Sequence, residues 1–121
     1  MMLTQAMGRR TAIALVTLLQ LGGCAALTGD QAALYDRLSD RDVALAAGTL
    51  QQSLETGPDG TPKPWRNAET GHQGAITPTR TFLSASGRFC RDYQEDLTIG
   101  DQSASFHHTA CRDDSAGWSW L

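Results

Sequence analysis

Residues 89–112 read Phe-Cys-Arg-Asp-Tyr-Gln-Glu-Asp-Leu-Thr-Ile-Gly-Asp-Gln-Ser-Ala-Ser-Phe-His-His-Thr-Ala-Cys-Arg, and this stretch decides the fold. Two long β-prone runs, Arg88 to Ile99 and Gln102 to Arg112, flank Gly100-Asp101, a two-residue hairpin signal. With those two residues as the loop, Ile99 faces Gln102, and Cys90 faces Cys111 at a non-hydrogen-bonded position. Such pairs bring Cα atoms to about 4.5 Å, within the reach of a disulfide. Free thiols or metal ligands are the rival reading of the two cysteines. The same register puts Phe89, Tyr93, Leu97, Ile99, Ala104, Phe106 and Ala110 on one face. Asp92, Gln94, Asp96, Thr98, Ser103, Ser105 and Thr109 fall on the other, with the cysteine pair. One oily and one wet face are what an antiparallel sheet covered on a single side requires. Arg91 and Glu95 fall on the oily face. They read either as an ion pair at the sheet margin, with a bulge turning Arg91 outwards as a variant, or as a polar ligand site beneath a helix.

Outward from the hairpin, Ala75 to Leu83 is a β-branched run in which Pro78 marks an edge or a bulge. Trp65 to Asn67 reads as a short strand, and Trp118 to Leu121 as a closing one. Upstream, Ser39 with Asp42 three residues on is a capping-box variant. Val43, Ala47, Leu50 and Leu54 then recur at helical spacing. One helix is expected from about Asp30 to Thr56, with a break near Ser39, and Gly57 to Pro64 as a loop. The expected class is α+β: an N-terminal amphipathic helix packed on a four- to five-stranded antiparallel β-meander.

The whole sequence is 121 residues, 40% hydrophobic, with a formal net charge of −3. This is the size of one domain and lacks the clustered basic face that nucleic-acid binding needs. The first 23 residues differ from the rest. Arg9 and Arg10 precede an apolar run from Thr11 to Leu21, which as a helix rises about 16 Å, short of a membrane span. That is the pattern of a signal peptide, with the Sec or twin-arginine route left open. Leu21-Gly22-Gly23-Cys24 resembles the lipobox of bacterial lipoproteins, in which the cysteine thiol is acylated and the leader is cut before it. Ala25, in place of an aspartate, points to the outer membrane. The expected organisation is a leader at 1–23, a lipidated tether at 24–29 and a domain at 30–121. Without the leader, eight basic and thirteen acidic residues leave a charge of −5. Lipidation of Cys24 leaves Cys90 and Cys111 as an even pair, suited to an oxidising compartment.

Catalytic signatures are missing. There is no Gly-x-Ser-x-Gly elbow, no Ser-x-x-Lys motif, and no phosphate-loop or dinucleotide fingerprint. Asp113-Asp114 reads as a turn. His107 and His108 are neighbours on a strand and point to opposite faces, so with His72 they make a poor metal site. No enzyme, cofactor or metal is expected. Trp118 and Trp120 share a face, so Arg91, Trp65, Trp118 and Trp120 are the candidate binding residues.

Trp65-Arg66-Asn67, Thr70-Gly71, Gly74, Thr77-Pro78-Thr79-Arg80-Thr81-Phe82, Phe89-Cys90-Arg91-Asp92-Tyr93, Thr109-Ala110-Cys111-Arg112 and Gly117-Trp118 form a further pattern. From Ser39 to Leu121 the chain resembles the C-terminal domain of the bacterial 17 kDa surface antigen family of outer-membrane lipoproteins. Members often carry a glycine-zipper segment between the lipid and this domain, and no such segment lies between Cys24 and Ser39. The resemblance implies a non-catalytic envelope lipoprotein with a structural or interaction role, on the periplasmic or surface face of the outer membrane. Its membrane contact is the lipid on Cys24, and its other partner is an envelope protein or peptidoglycan. Two alternatives stand beside it: an inhibitor of a host or periplasmic hydrolase acting through the 57–64 loop, and a peptidoglycan or small-ligand module. The oligomeric state is open.

Overall fold

The computed structural model describes residues 31–115 and 117–121; the expected leader, Cys24 and the tether lie outside the described residues. Helix α1 covers 31–36. It closes with Arg37 N–H on Leu34 O and Leu38 N–H on Tyr35 O, both 3.1 Å. These i to i−3 bonds tighten the last turn and end the helix. Ser39, in extended backbone, restarts it: its hydroxyl accepts Asp42 N–H at 3.1 Å, and Asp42 Oδ2 accepts Ser39 N–H at 2.9 Å. This reciprocal box opens α2, Asp40–Thr56. The break expected near Ser39 is therefore a cap between two helices.

β1 (Lys63–Arg66), β2 (Gln73–Leu83), β3 (Phe89–Ile99), β4 (Gln102–Arg112) and β5 (Trp118–Trp120) form one antiparallel sheet in chain order. Its centre keeps the register read from the sequence. Ile99 pairs with Gln102, Tyr93 with His108, and Cys90 with Cys111. The two sulfurs are bonded at 2.04 Å, with Cα atoms 4.0 Å apart. β1 starts two residues earlier than expected and stops before Asn67. There the side-chain oxygen takes Glu69 N–H at 3.0 Å and turns the chain.

Pro78 produces a bulge. Pairing passes from Pro78–Tyr93 to Arg80–Asp92, which leaves Thr79 without a partner on β3. Pro78 O accepts Gly60 N–H at 2.7 Å on the side away from β3, so the missing proline N–H costs the ladder nothing. The slip of one residue exchanges the faces of β2. Before it, Ile76 and Pro78 lie on the helix side; after it, Thr81 and Leu83 do, and Phe82 joins Cys90 on the other.

The core is Leu54, Ile76, Tyr93, Ala110 and Trp118, with Leu50 against it. Trp65 lies on Gly74, where a Cβ would come within 2.5 Å of the indole Nε1. One assignment needs correction. The buried stripe of α2 runs through Asp42, Ser53 and Leu54, whereas Val43 and Ala47 are exposed. The helix is rolled to bury Asp42, whose Oδ1 accepts Asn67 Nδ2 at 2.8 Å and Thr70 Oγ1 at 2.9 Å, and whose Oδ2 lies 2.7 Å from His72 Nδ1. Phe89 lies on the helix side but is 59% exposed, as is its β2 partner Leu83 at 60%, because α2 ends over Arg91 and covers neither.

The structure yields two stability predictions. The disulfide closes a loop of sequence separation 21, which contributes about 3 kcal/mol by restricting the unfolded chain. The Cys90→Ser/Cys111→Ser form should lose roughly 12–24 °C in melting temperature, and thiol labelling of the folded wild type should find neither cysteine. Burial works to raise the Asp42 carboxyl, but the Ser39 N–H, His72, Asn67 and Thr70 outweigh it and hold the group well below its usual value of 3.8. A depressed folded value contributes stability above the unfolded one and loses it as pH falls. The advantage of wild type over Asp42→Asn in denaturant midpoint should therefore be full at neutral pH and shrink below about pH 4.

Candidate functional site

α2 has no basic residue in its last turn, and its final carbonyls need donors. Arg91 of β3 supplies them from the sheet. Its Nη1 donates to Ser53 O at 3.2 Å and Leu54 O at 2.8 Å, and its Nη2 to Asp59 Oδ1 at 2.6 Å. Thr81 Oγ1 also donates to Asp59, at 3.3 Å. Arg91 is thus a buried helix cap that ties down the loop after α2. It neither pairs with Glu95 nor turns outwards, and its two terminal nitrogens are engaged within the chain.

Trp118 is held as closely. Its backbone N–H and C=O both bond the Gln51 amide at 3.0 Å, and its indole N–H donates to Glu55 Oε2 at 3.0 Å. Arg112 reaches Glu55 at 3.0 Å. The Trp118 indole N–H and then Arg112 hold the Glu55 carboxyl below its ordinary value. Trp65 is buried on Gly74, and its Nε1 has no partner among the described residues. Three of the four candidate binding residues, Arg91, Trp65 and Trp118, are therefore buried. Trp118 and Trp120 share a face, as expected, but α2 covers Trp118, and of the tryptophans Trp120 alone is exposed, at 59%.

Trp120 belongs instead to a cluster with a member that sequence reasoning missed. Its ring stacks on His108 with centroids 5.3 Å apart and planes 3° from parallel. His108 Nε2 lies 3.1 Å from the Tyr35 hydroxyl and 3.5 Å from Glu95 Oε1. The Tyr35 hydroxyl donates to Glu95, and its ring packs on Phe106 at 5.5 Å. Burial, and then the Glu95 carboxylate, push the Tyr35 phenol above its ordinary value. The available signal was Glu95 itself, a carboxylate on the oily face that required a donor from whatever covered it. α1 is that cover. Arg37 adds a bond to Gln102 at 2.8 Å. His107 is exposed on the opposite face, and His72 sits with Asp42, so the three histidines occupy three places.

The accessible part of this site is a shallow hollow of about 340 Å³ lined by His107, His108, Thr109, Trp120 and Leu121 at the β4–β5 margin. An exposed indole beside imidazole and hydroxyl groups is equipped for contact with another molecule.

The family model described as 17 kDa outer membrane surface antigen matches residues 52–119. The 17 kDa surface antigens of Rickettsia conorii and Rickettsia felis are each 35% identical over 81 residues, covering 67% of this chain and 51% of theirs. That of Rickettsia australis is 36% identical over 75 residues, covering 62% and 49%. The chain spans about half the length of these relatives. No solved structure matches it.

The division between structural and surface residues is measurable. Arg91→Met removes the cap and takes from the buried Leu54 carbonyl its donor, while Ser53 O keeps Gly57 N–H and Asp59 keeps Thr81, so it should cost about 1–3 kcal/mol in denaturant unfolding. Trp120→Ala should cost less than about 1 kcal/mol.

Proposed function

The chain belongs to the 17 kDa outer membrane surface antigen family, and on that premise we propose that it is a non-catalytic envelope lipoprotein acting through contact. In this reading residues 1–23 are a leader removed on export, Cys24 carries the lipid, 24–29 is the tether and 30–121 is the working domain. The relatives are named as surface antigens, and we carry their outer-membrane or cell-surface location over to this chain. The observation that carries the proposal is the family match over 52–119, which spans the disulfide-bonded hairpin. A structural disulfide persists in an oxidising compartment and is rare in a reducing one. Two or three acyl chains on one residue, at about 0.8 kcal/mol per buried methylene, anchor a domain without any spanning helix. The exposed Trp120 margin then serves as the contact surface for an envelope protein or peptidoglycan.

Intact mass spectrometry of the envelope form should show a chain that begins at an acylated Cys24, and Cys24→Ser should accumulate with its leader uncut. A chain recovered from the envelope without acyl mass would overturn the anchor.

A further inference from the structure

β5 has three residues and pairs only with Ala110, Cys111 and Arg112. Leu121 N–H adds a bond to Thr109 O at 3.2 Å. Among the described residues no strand pairs with the outer edge of β4 from Gln102 to His108. Ile99 and Gln102 close a two-residue hairpin, so Gln102, Ala104, Phe106 and His108 aim their backbone groups at β3. Ser103, Ser105 and His107 aim theirs outwards, a parity that the Thr109–Leu121 bond obeys. A row of free N–H and C=O groups is a template for another strand, and natural edges are usually protected by charge, proline or a bulge. Gln-Ser-Ala-Ser-Phe-His-His carries no Lys, Arg, Asp, Glu or Pro, and its register with β3 is unbroken. The opposite side of the sheet is protected: β1 pairs with the start of β2, and beyond it stand Pro78, the bulge and Gly60.

We infer that the β4 edge pairs with the same edge of a second copy of this chain, antiparallel about Ser105. Ser105 is the centre of the open stretch, so a two-fold axis there lays every free residue on a free residue. Ser105 opposes its counterpart, Ser103 opposes His107, and Ala104 opposes Phe106. The outward residues then satisfy one another's backbone groups across the new ladder, and no charged side chain meets a like charge. A slip of one residue sets outward groups against inward ones. A slip of two opposes Asp101 to His107, or Ser103 to Thr109, whose outer carbonyl Leu121 already takes. This pairing turns both helix-bearing faces to the same side, with α1 of each copy on it, so both tethers can enter one membrane. That last point rests on the lipoprotein reading; the pairing does not.

The test is the oligomeric state of the purified full chain in detergent, followed by sedimentation across a wide range of concentration. Ser105→Pro removes an N–H that β3 does not use, and Ser105→Lys sets two ammonium groups against each other at the axis. Ser105→Ala removes only the hydroxyl bond to Asp96. A dimer kept by wild type and Ser105→Ala, and weakened about tenfold or more by the Lys and Pro forms with unchanged near-ultraviolet circular dichroism, supports the inference. Should both of those variants misfold, a Ser105→Cys chain that cross-links to itself far faster than Thr81→Cys supports it independently. A wild-type monomer at every concentration, or a dimer that Ser105→Lys leaves intact, overturns it. Ser105-dependent capture of a different envelope protein by a monomer also overturns it and assigns the edge to that protein's strand. Intact mass of the same samples reads the lipid separately, so loss of pairing and loss of the anchor are distinguishable.

Discussion

Both ends of α2 arrive at the sheet with polar groups that water cannot fully serve, and both are answered by side chains from the sheet and its turns. At the N-terminal end, Asp42 closes the cap on Ser39 and accepts from Asn67, Thr70 and His72 of the β1–β2 turn. At the other end Arg91 reaches up from β3 to the Ser53 and Leu54 carbonyls and across to Asp59. Buried ions are tolerated only when paired and hydrogen-bonded, so each fixes the helix in position and in roll about its axis. The small apolar core around Leu54 and Tyr93 forms where these two clamps hold the helix down.

The sheet divides its labour by face and by edge. The helix face carries the core and the clamps. On the other face, Asp92 takes Arg80 and Thr109, Asp96 takes Gln94 and Ser105, and the cystine ties β3 to β4. The Pro78 bulge moves Phe82 beside Cys90 and protects one side of the sheet. The other side, around β4 and Trp120, is left uncharged and accessible. The exposed β4 edge and the Trp120 margin are the two surfaces on which the proposals of contact and of self-pairing rest.

The local rules were legible in the sequence. Gly100-Asp101 and the alternation around it determined the hairpin, its register, its two faces and the cysteine pair, because a period of two admits one solution once the turn is placed. Ser39 and Asp42 announced the cap, and Pro78 an edge or a bulge. The family pattern of Trp65-Arg66-Asn67 and the two Cys-Arg pairs was likewise readable from residues alone. What depended on the helix meeting the sheet was not. Helical spacing pointed to Val43 and Ala47 as the buried stripe, since apolar periodicity cannot anticipate that four donors would pull Asp42 inside. Arg91 and Tyr35 found their partners 32 to 73 residues away, and such pairings follow from how the elements are laid on one another. The sequence by itself determined the strands, their turns and the expectation of an exported chain. Tertiary structure alone decided which charges are buried, which tryptophan stays in water and which edge of the sheet is unpaired among the described residues, because each of those depends on what one element covers on another.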